Sequence, residues 1–375
     1  MKKKESPSAC GRLGKVGGEA VLDGVMMKAG SRCATAVRTP NGGIRLLERE
    51  FHSVREKCKL FRLPILRGFV NFIETMRLSM QVLTASAEVG IEEELEASKS
   101  EGWLKRHLGF SMMDVVTVLS SLLGIALALV LFIYLPNLAS TGLERLVGRE
   151  LGIWKALTSG VLKIFIFILY IYLVSLMPDI RRTFQYHGAE HKSIACYESG
   201  EPLTPENADK CSRLHPRCGT SFMFVMILLG ILLSLGARAV LELGFGLDFE
   251  EMTRAAVGRN LEPLIYTGIG LVLLPLIMGL GYEFLMYAGK HPANPLVKVL
   301  SAPGLWMQRL TTRKPSLDQL EIAIVALKAA MPEAFPDFDK TPYLAPVKEA
   351  QAPTEATGEA SPAPDGTPTC QEDTP

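Results

Sequence analysis

The chain has 375 residues, 40 Lys and Arg against 39 Asp and Glu, a formal net charge of +1 and 48% hydrophobic residues. The net charge says nothing useful about nucleic acid, though its distribution bears on orientation; no nucleic-acid partner is expected. Seven cysteines, an odd number without a C-x-x-C pair, do not make a disulfide framework and fit a reducing compartment.

The N-terminus, MKKKESPSACGRLG, is basic but has no apolar stretch behind it, so no cleavable signal peptide and no lipid on Cys10 are expected. Residues 1–60 are predicted to form a small β-rich unit. CATAVRT and IRLLERE flank PNGG there, and Asn41-Gly42 suits a tight hairpin turn because both central positions need positive φ. Upstream, the glycines of GGEAVLDGVMMK support turns. In 61–110, Phe69, Phe72, Met76, Met80 and Leu83 recur at helical spacing, which predicts an amphipathic helix packed on the core or lying on a membrane surface. IEEELEASKSEG then reads as a solvated connector.

The apolar blocks fall in 111–177 and 219–290. No charged residue stands between Asp114 and Glu144, from Cys218 to Ala237, or from Pro263 to Tyr282. About 20 residues of helix cross the roughly 30 Å of bilayer hydrocarbon. A further block, Ile153 to Met177, contains Lys163, whose stem can snorkel toward an interface, and IFIFILYIYLVSLM follows it directly. The expected fold is mainly α: a four-helix transmembrane bundle with a small N-terminal β-hairpin-containing unit and cytoplasmic helices, its partner the lipid bilayer. Arg181, Arg182, Lys192, Lys210, Arg213 and Arg217 crowd the 178–218 loop, and Lys290, Lys298, Arg309, Arg313 and Lys314 follow the last block. The positive-inside bias therefore places this loop and both termini in the cytoplasm, with Arg238, Arg254 and Arg259 on the other side.

Within 291–340, SLDQLEIAIVALKAAM predicts a cytoplasmic helix capped by Ser316 with Gln319 and carrying Leu320, Ile324 and Leu327 on one face. From about Tyr343 Pro, Ala, Thr and Glu take over, so 341–375 is predicted to be a disordered tail. No internal repeat is evident.

The chemistry concentrates in FQYHGAEHKSIACYESGEPLTPENADKCSRLHPRCGTSF. His187, Glu190 and His191 form H-x-x-E-H; on a helix these share one face, so two imidazoles can hold a cation with a carboxylate beside it. The spacing is that of the inverted zinc peptidases, whose glutamate activates water. His215 and Cys218 supply further ligands of the kind Zn²⁺ accepts, and Glu283 and Asp114 sit near the same end of the expected spans. The candidate ligands of a divalent metal, Zn²⁺ foremost, are His187, His191, His215, Cys218 and Glu283. Glu190 is the candidate general base and Arg217 the candidate anion stabiliser. Cys196 and Cys211 read as small apolar filler. The competing interpretation is plain ion pairing that anchors helix ends at an interface.

These residues also resemble a known family, the YqhQ-like bacterial membrane proteins, a group of unknown function that is often labelled as predicted metal-dependent enzymes. The resemblance runs from about Gly17 to Met331 through GGEAVLDGVMM, PILRG, YHGAEHK, LHPRCGTSF, YE at 282–283 and PGLWMQRLTT. It implies a multi-pass protein of the bacterial inner membrane and points to His187, Glu190, His191, His215, Cys218 and Glu283, with Cys211 outside the shared motif. Three functions remain open: a membrane-embedded metal-dependent hydrolase, a non-catalytic protein whose metal staples the central loop to the bundle, and a transporter using Glu283, Asp114 and Lys163 as a polar path.

Overall fold

The structure is a computed structural model that describes residues 12–56, 59–95, 112–149, 151, 153–240, 244–246, 249–291 and 294–344. Cys10, most of the charged connector, the side chain of Asp114 and residues 345–375 of the expected disordered tail lie outside the described residues, whereas the first residues of that tail are ordered, Thr341–Tyr343 as a 3-10 turn and Leu344 bridging to Leu46.

Four strands, β1 (Gly17–Val21), β2 (Gly24–Ala29), β3 (Arg32–Arg38) and β4 (Ile44–Glu50), pair in sequence order as an antiparallel meander. The Asn41-Gly42 turn closes β3 onto β4, with Gly42 at φ +83°. GGEAVLDGVMM is thus a hairpin in its own right, turning at Asp23 with φ +51° and pairing Gly18 with Met27. Both faces of this sheet are covered. Val25, Met27, Ala34, Ala36 and Leu46 pack on one side against α5 (Pro178–Ser199) and α10 (Leu317–Ala330). Met26, Cys33 and Val37 pack on the other against Leu78, Val82 and Val89 of α1 (Leu66–Leu95). Burial on two faces explains why β3 reads as an unbroken run, CATAV, rather than as an alternation.

Helix α10 carries the expected capping box, with Ser316 Oγ accepting from the Gln319 N–H and the Gln319 side chain accepting from the Ser316 N–H. In α1 the face that packs on the sheet differs from the expected one. Leu78, Val82, Ala85 and Val89 are buried, whereas Met76, Met80 and Leu83 are exposed. Apolar residues stand on more than one side of this helix, so periodicity identifies a helix there without choosing its inner face.

The remaining helices are long and apolar. Helix α2 (Met112–Leu129) runs through a π-helical turn at Val130–Tyr134 into α3 (Leu135–Val147); α4 is Ile153–Val174, α6 the short Pro205–Lys210, α7 Gly219–Ala239, α8 Phe249–Lys290 and α9 Pro295–Thr311. Among the described residues three stretches are long and apolar enough to cross a membrane: Val118–Val147, Trp154–Val174 and Leu261–Ala288. Helix α7 adds a shorter apolar stretch, Met223–Ala237, and α8 is broken at Gly258, φ +76°. Large apolar side chains on these helices face outward, among them Leu123 at 69% and Val272 at 78% exposure. A surface of this kind suits hydrocarbon rather than water and suggests membrane association.

Candidate metal centre

Helix α5 starts with Pro178 at its first turn and stops at Gly200, φ +85°. On it His187, Glu190 and His191 turn to one side, and the neighbours that define the centre come from other parts of the chain. Gly188 allows the first approach. A Cβ there would stand 2.0 Å from the Arg313 carbonyl oxygen, and the Arg313 N–H donates to the Phe184 carbonyl at 2.8 Å. The segment after α9 is thereby held against α5, and the Thr311 carbonyl lies 2.9 Å from His187 Nδ1. Likewise the Arg213 carbonyl lies 2.6 Å from His191 Nδ1.

A carbonyl only accepts, so each Nδ1 carries the proton and each Nε2 keeps its lone pair. His187 Nε2 stands 3.2 Å from Cys218 Sγ, and the ligand atoms of His187, His191 and Cys218 all lie within 4.8 Å of one another. Tetrahedral zinc with ordinary Zn–N and Zn–S bonds separates its ligand atoms by about 3.3–3.6 Å. The donor set is of the kind a borderline-soft divalent ion accepts, with one pair, His187 Nε2 and Cys218 Sγ, already close to the spacing such an ion requires. Backbone carbonyls on both Nδ1 atoms are the outer support that metal-binding histidines ordinarily have. His191 and Cys218 are buried, and burial lowers the His191 pKa, keeping the imidazole in its neutral, ligating form.

Glu190 is fully enclosed, and its burial pushes the carboxyl pKa up to about 7, opposed by His187 and reinforced by Glu19. Glu19 projects from β1, is itself raised by burial, and accepts a hydrogen bond from Ser79 Oγ at 2.5 Å. A Cβ at Gly18 would lie 2.8 Å from Glu190 Cγ, so glycine lets the strand close on this part of α5. Two carboxyl groups raised by burial thus lie next to the His/His/Cys cluster.

The other expected site residues are placed as follows. His215 is buried with its ring centroid 5.6 Å from that of His191, and its Nε2 is 3.6 Å from Glu198 and 3.4 Å from Arg217 Nη2. Arg217 itself pairs with Glu198, whose carboxyl also accepts from the Gly14 N–H at 2.9 Å. The H-P-R-C turn is clamped by Gln308 of α9, which accepts from the His215 N–H at 2.8 Å and donates to its carbonyl at 2.7 Å. Glu283 accepts from Arg67 Nε at 2.6 Å and pairs with its second nitrogen at the contact between α1 and α8, where Gly279 meets Ile65. It is not in the cluster formed by His187, His191 and Cys218. Cys196 is fully buried, its thiol pushed up to about 11 by burial, and its Sγ lies 3.7 Å from the Pro202 carbonyl.

Glu19, Glu198, Gln308 and the Thr311 carbonyl were missed as parts of this centre. Only Glu19 carried a visible signal, an acid inside the apolar strand GGEAV.

Comparison with known proteins agrees with the motifs. No solved structure matches the chain. The uncharacterized protein YqhQ of Bacillus subtilis (strain 168) is 32% identical over 324 residues, covering 82% of this chain and 89% of that protein. Residues 63–333 match the profile of a family described as "Protein of unknown function (DUF1385)". By both matches the chain belongs to this YqhQ-like family of uncharacterized function.

Proposed function

We propose that the protein is a multi-pass inner-membrane protein whose His187, His191 and Cys218 hold a divalent ion, Zn²⁺ foremost, at the cytoplasmic boundary, and that it is a metal-dependent hydrolase. The observation that carries this reading is the pair of imidazoles with both Nδ1 atoms committed to backbone carbonyls and one Nε2 at 3.2 Å from a thiol. Three protein ligands leave one position of a tetrahedron open, as catalytic zinc sites do. Bound there, such an ion supplies Lewis acidity and lowers the pKa of water. Glu190, with its pKa near 7, is suited to take a proton and give it back at neutral pH, and Glu19 helps to hold it in that range. Arg217, anchored by Glu198 next to His215, is the group that would donate to an anionic group there.

The membrane topology belongs to the same proposal. Helix α7, with 21 residues and a length of about 31 Å, is the fourth span beside the three longer ones, which completes a four-helix bundle. The even count puts the unit of residues 1–60, the 178–218 segment, the 291–340 segment and the tail on the cytoplasmic side. Glu283 serves there as an ion-pair partner of Arg67 that fastens α1 to the bundle.

A second reading, a structural ion closed by His215 as fourth ligand, draws on the proximity of the His215 and His191 rings. Elemental analysis of purified wild type and Glu190→Gln, with complementation of a deletion strain, separates the two. Retained metal with lost complementation is the outcome for a hydrolase. Retained metal with full complementation refutes it in favour of the structural ion, and absence of metal from the wild type refutes both.

A further inference from the structure

At the N-terminal end of α4, opposite the end that leads into α5, four charged side chains from three helices meet. Lys155 Nζ lies 2.9 Å from Glu144 and also pairs with Glu262; Arg254 reaches Glu144 at 2.6 Å and Glu262 at 3.0 Å. Glu144, Lys155 and Glu262 are at most 5% exposed, and the two cations balance the two carboxylates. Two turns further along α4 stands Lys163, for which no acidic partner occurs among the described residues.

Lys163 lines a cavity of about 350 Å³ inside the bundle. Asn137, Ser159, Ser234 and Tyr266 bring polar groups to its lining, and Ile269 and Leu273 bring apolar surface. Ser159 Oγ donates to Asn137 Oδ1 at 2.7 Å, which fixes the amide beside the cavity. The volume falls in the range of small-molecule pockets. An ammonium at this depth is costly without a counter-ion, and among the described residues no carboxylate is paired with Lys163.

We infer that this cavity is a binding site for the anionic head of an amphiphile, a carboxylate or a phosphate paired with Lys163, its acyl chain along Leu273 and Ile269. The inference uses the spanning arrangement proposed above but not the metal centre, none of whose residues lines this cavity. A chain-bearing anion satisfies both kinds of lining at once: charge for Lys163 and apolar surface for the leucine and isoleucine. A free inorganic anion leaves the apolar surface wet, and a neutral lipid offers the ammonium no counter-ion.

The test uses the full-length protein, purified in a non-ionic detergent and stripped of lipid. Binding of radiolabelled oleate, oleoyl lysophosphatidate and methyl oleate is measured at equilibrium, with thermal unfolding alongside. Saturable binding of one or both anions at least tenfold tighter than methyl oleate is expected, and which of them binds identifies the head as carboxylate or phosphate. In Lys163→Met that preference should vanish while the unliganded protein melts no lower than wild type, because a half-buried charge with no carboxylate partner among the described residues has been removed. Leu273→Trp, which fills the cavity and keeps the lysine, should weaken both anions by at least tenfold. Equal binding of all three probes, no binding by any of them, or wild-type binding in both variants overturns the inference. A chain that stays in solution without detergent overturns the spanning arrangement itself, a distinct result.

Discussion

Gly188 is the point where helix α5 touches the backbone that follows α9, and Gly188→Ala tests how the candidate metal centre is built. The added Cβ would stand 2.0 Å from the Arg313 carbonyl oxygen, about 1.4 Å inside the 3.4 Å at which ordinary contact begins. The obstacle is backbone, and Arg313 is held there by its bond to Phe184, so no side chain can swing aside. Separating the two segments by on the order of 1 Å costs about 1–3 kcal/mol of overpacking, a fall of roughly 5 °C in melting temperature. The same displacement draws the Thr311 carbonyl away from His187 Nδ1, a bond of 2.9 Å, and frees the ring to turn. Loss of such an outer-shell contact typically weakens metal affinity about 10–100-fold. Both effects are read on one sample, by zinc competition against a chromophoric chelator and by differential scanning in detergent. A variant with wild-type zinc affinity and wild-type melting would refute the reasoning, since the methyl group would then have found room that the packing denies it.

The remaining expectations concern other parts of the molecule. Lys155→Met removes one of the cations paired with Glu144 and Glu262 in the buried cluster, and a loss of about 3–5 kcal/mol is expected on unfolding in denaturant; a loss under about 1 kcal/mol would mean that water reaches the cluster. Asp209 is hydrogen-bonded by Lys192, which holds its carboxyl below the usual range, with Lys314 assisting. Its stabilising contribution is therefore complete above the unfolded-state pKa of about 3.9 and fades as pH falls below that toward the folded value. Asp209→Asn should lower stability near pH 6 and flatten the decline below about pH 4, and an unchanged acid limb in melting scans would count against this. Cys196, its thiol raised to about 11 and fully buried, should resist iodoacetamide at pH 8 in the folded protein and react only after unfolding; mass mapping of native-state alkylation at Cys196 would contradict that.

The centre's assembly explains why its ligands are easier to find than its supports. Two backbone carbonyls, at Thr311 and Arg213, set the tautomers of His187 and His191. Any residue type has a carbonyl, so these positions leave no mark on composition. Gln308 is a single amide in an amphipathic helix, and only its two bonds to the His215 backbone reveal it as the clamp of the H-P-R-C turn. The β-hairpin unit raises the same difficulty in another form: it shares its core with α10 from the far end of the chain.

What the amino-acid order determines on its own is whatever is encoded within one turn or one span: the hairpin at Asn41-Gly42, the box that caps α10, the apolar blocks and the i, i+3, i+4 grouping of His187, Glu190 and His191. Hydrogen-bonding range and periodicity are local, so they survive in the linear text. Tertiary structure alone decided that Cys218 meets the two imidazoles, that Glu19 lies beside Glu190 and that Glu283 is taken up by Arg67. It also decided that the sheet uses Leu78 and Val82 of α1 rather than Met76 and Met80. Those choices depend on which faces close on one another across hundreds of residues, and a helix with apolar residues on two sides offers each of them equally until packing selects one.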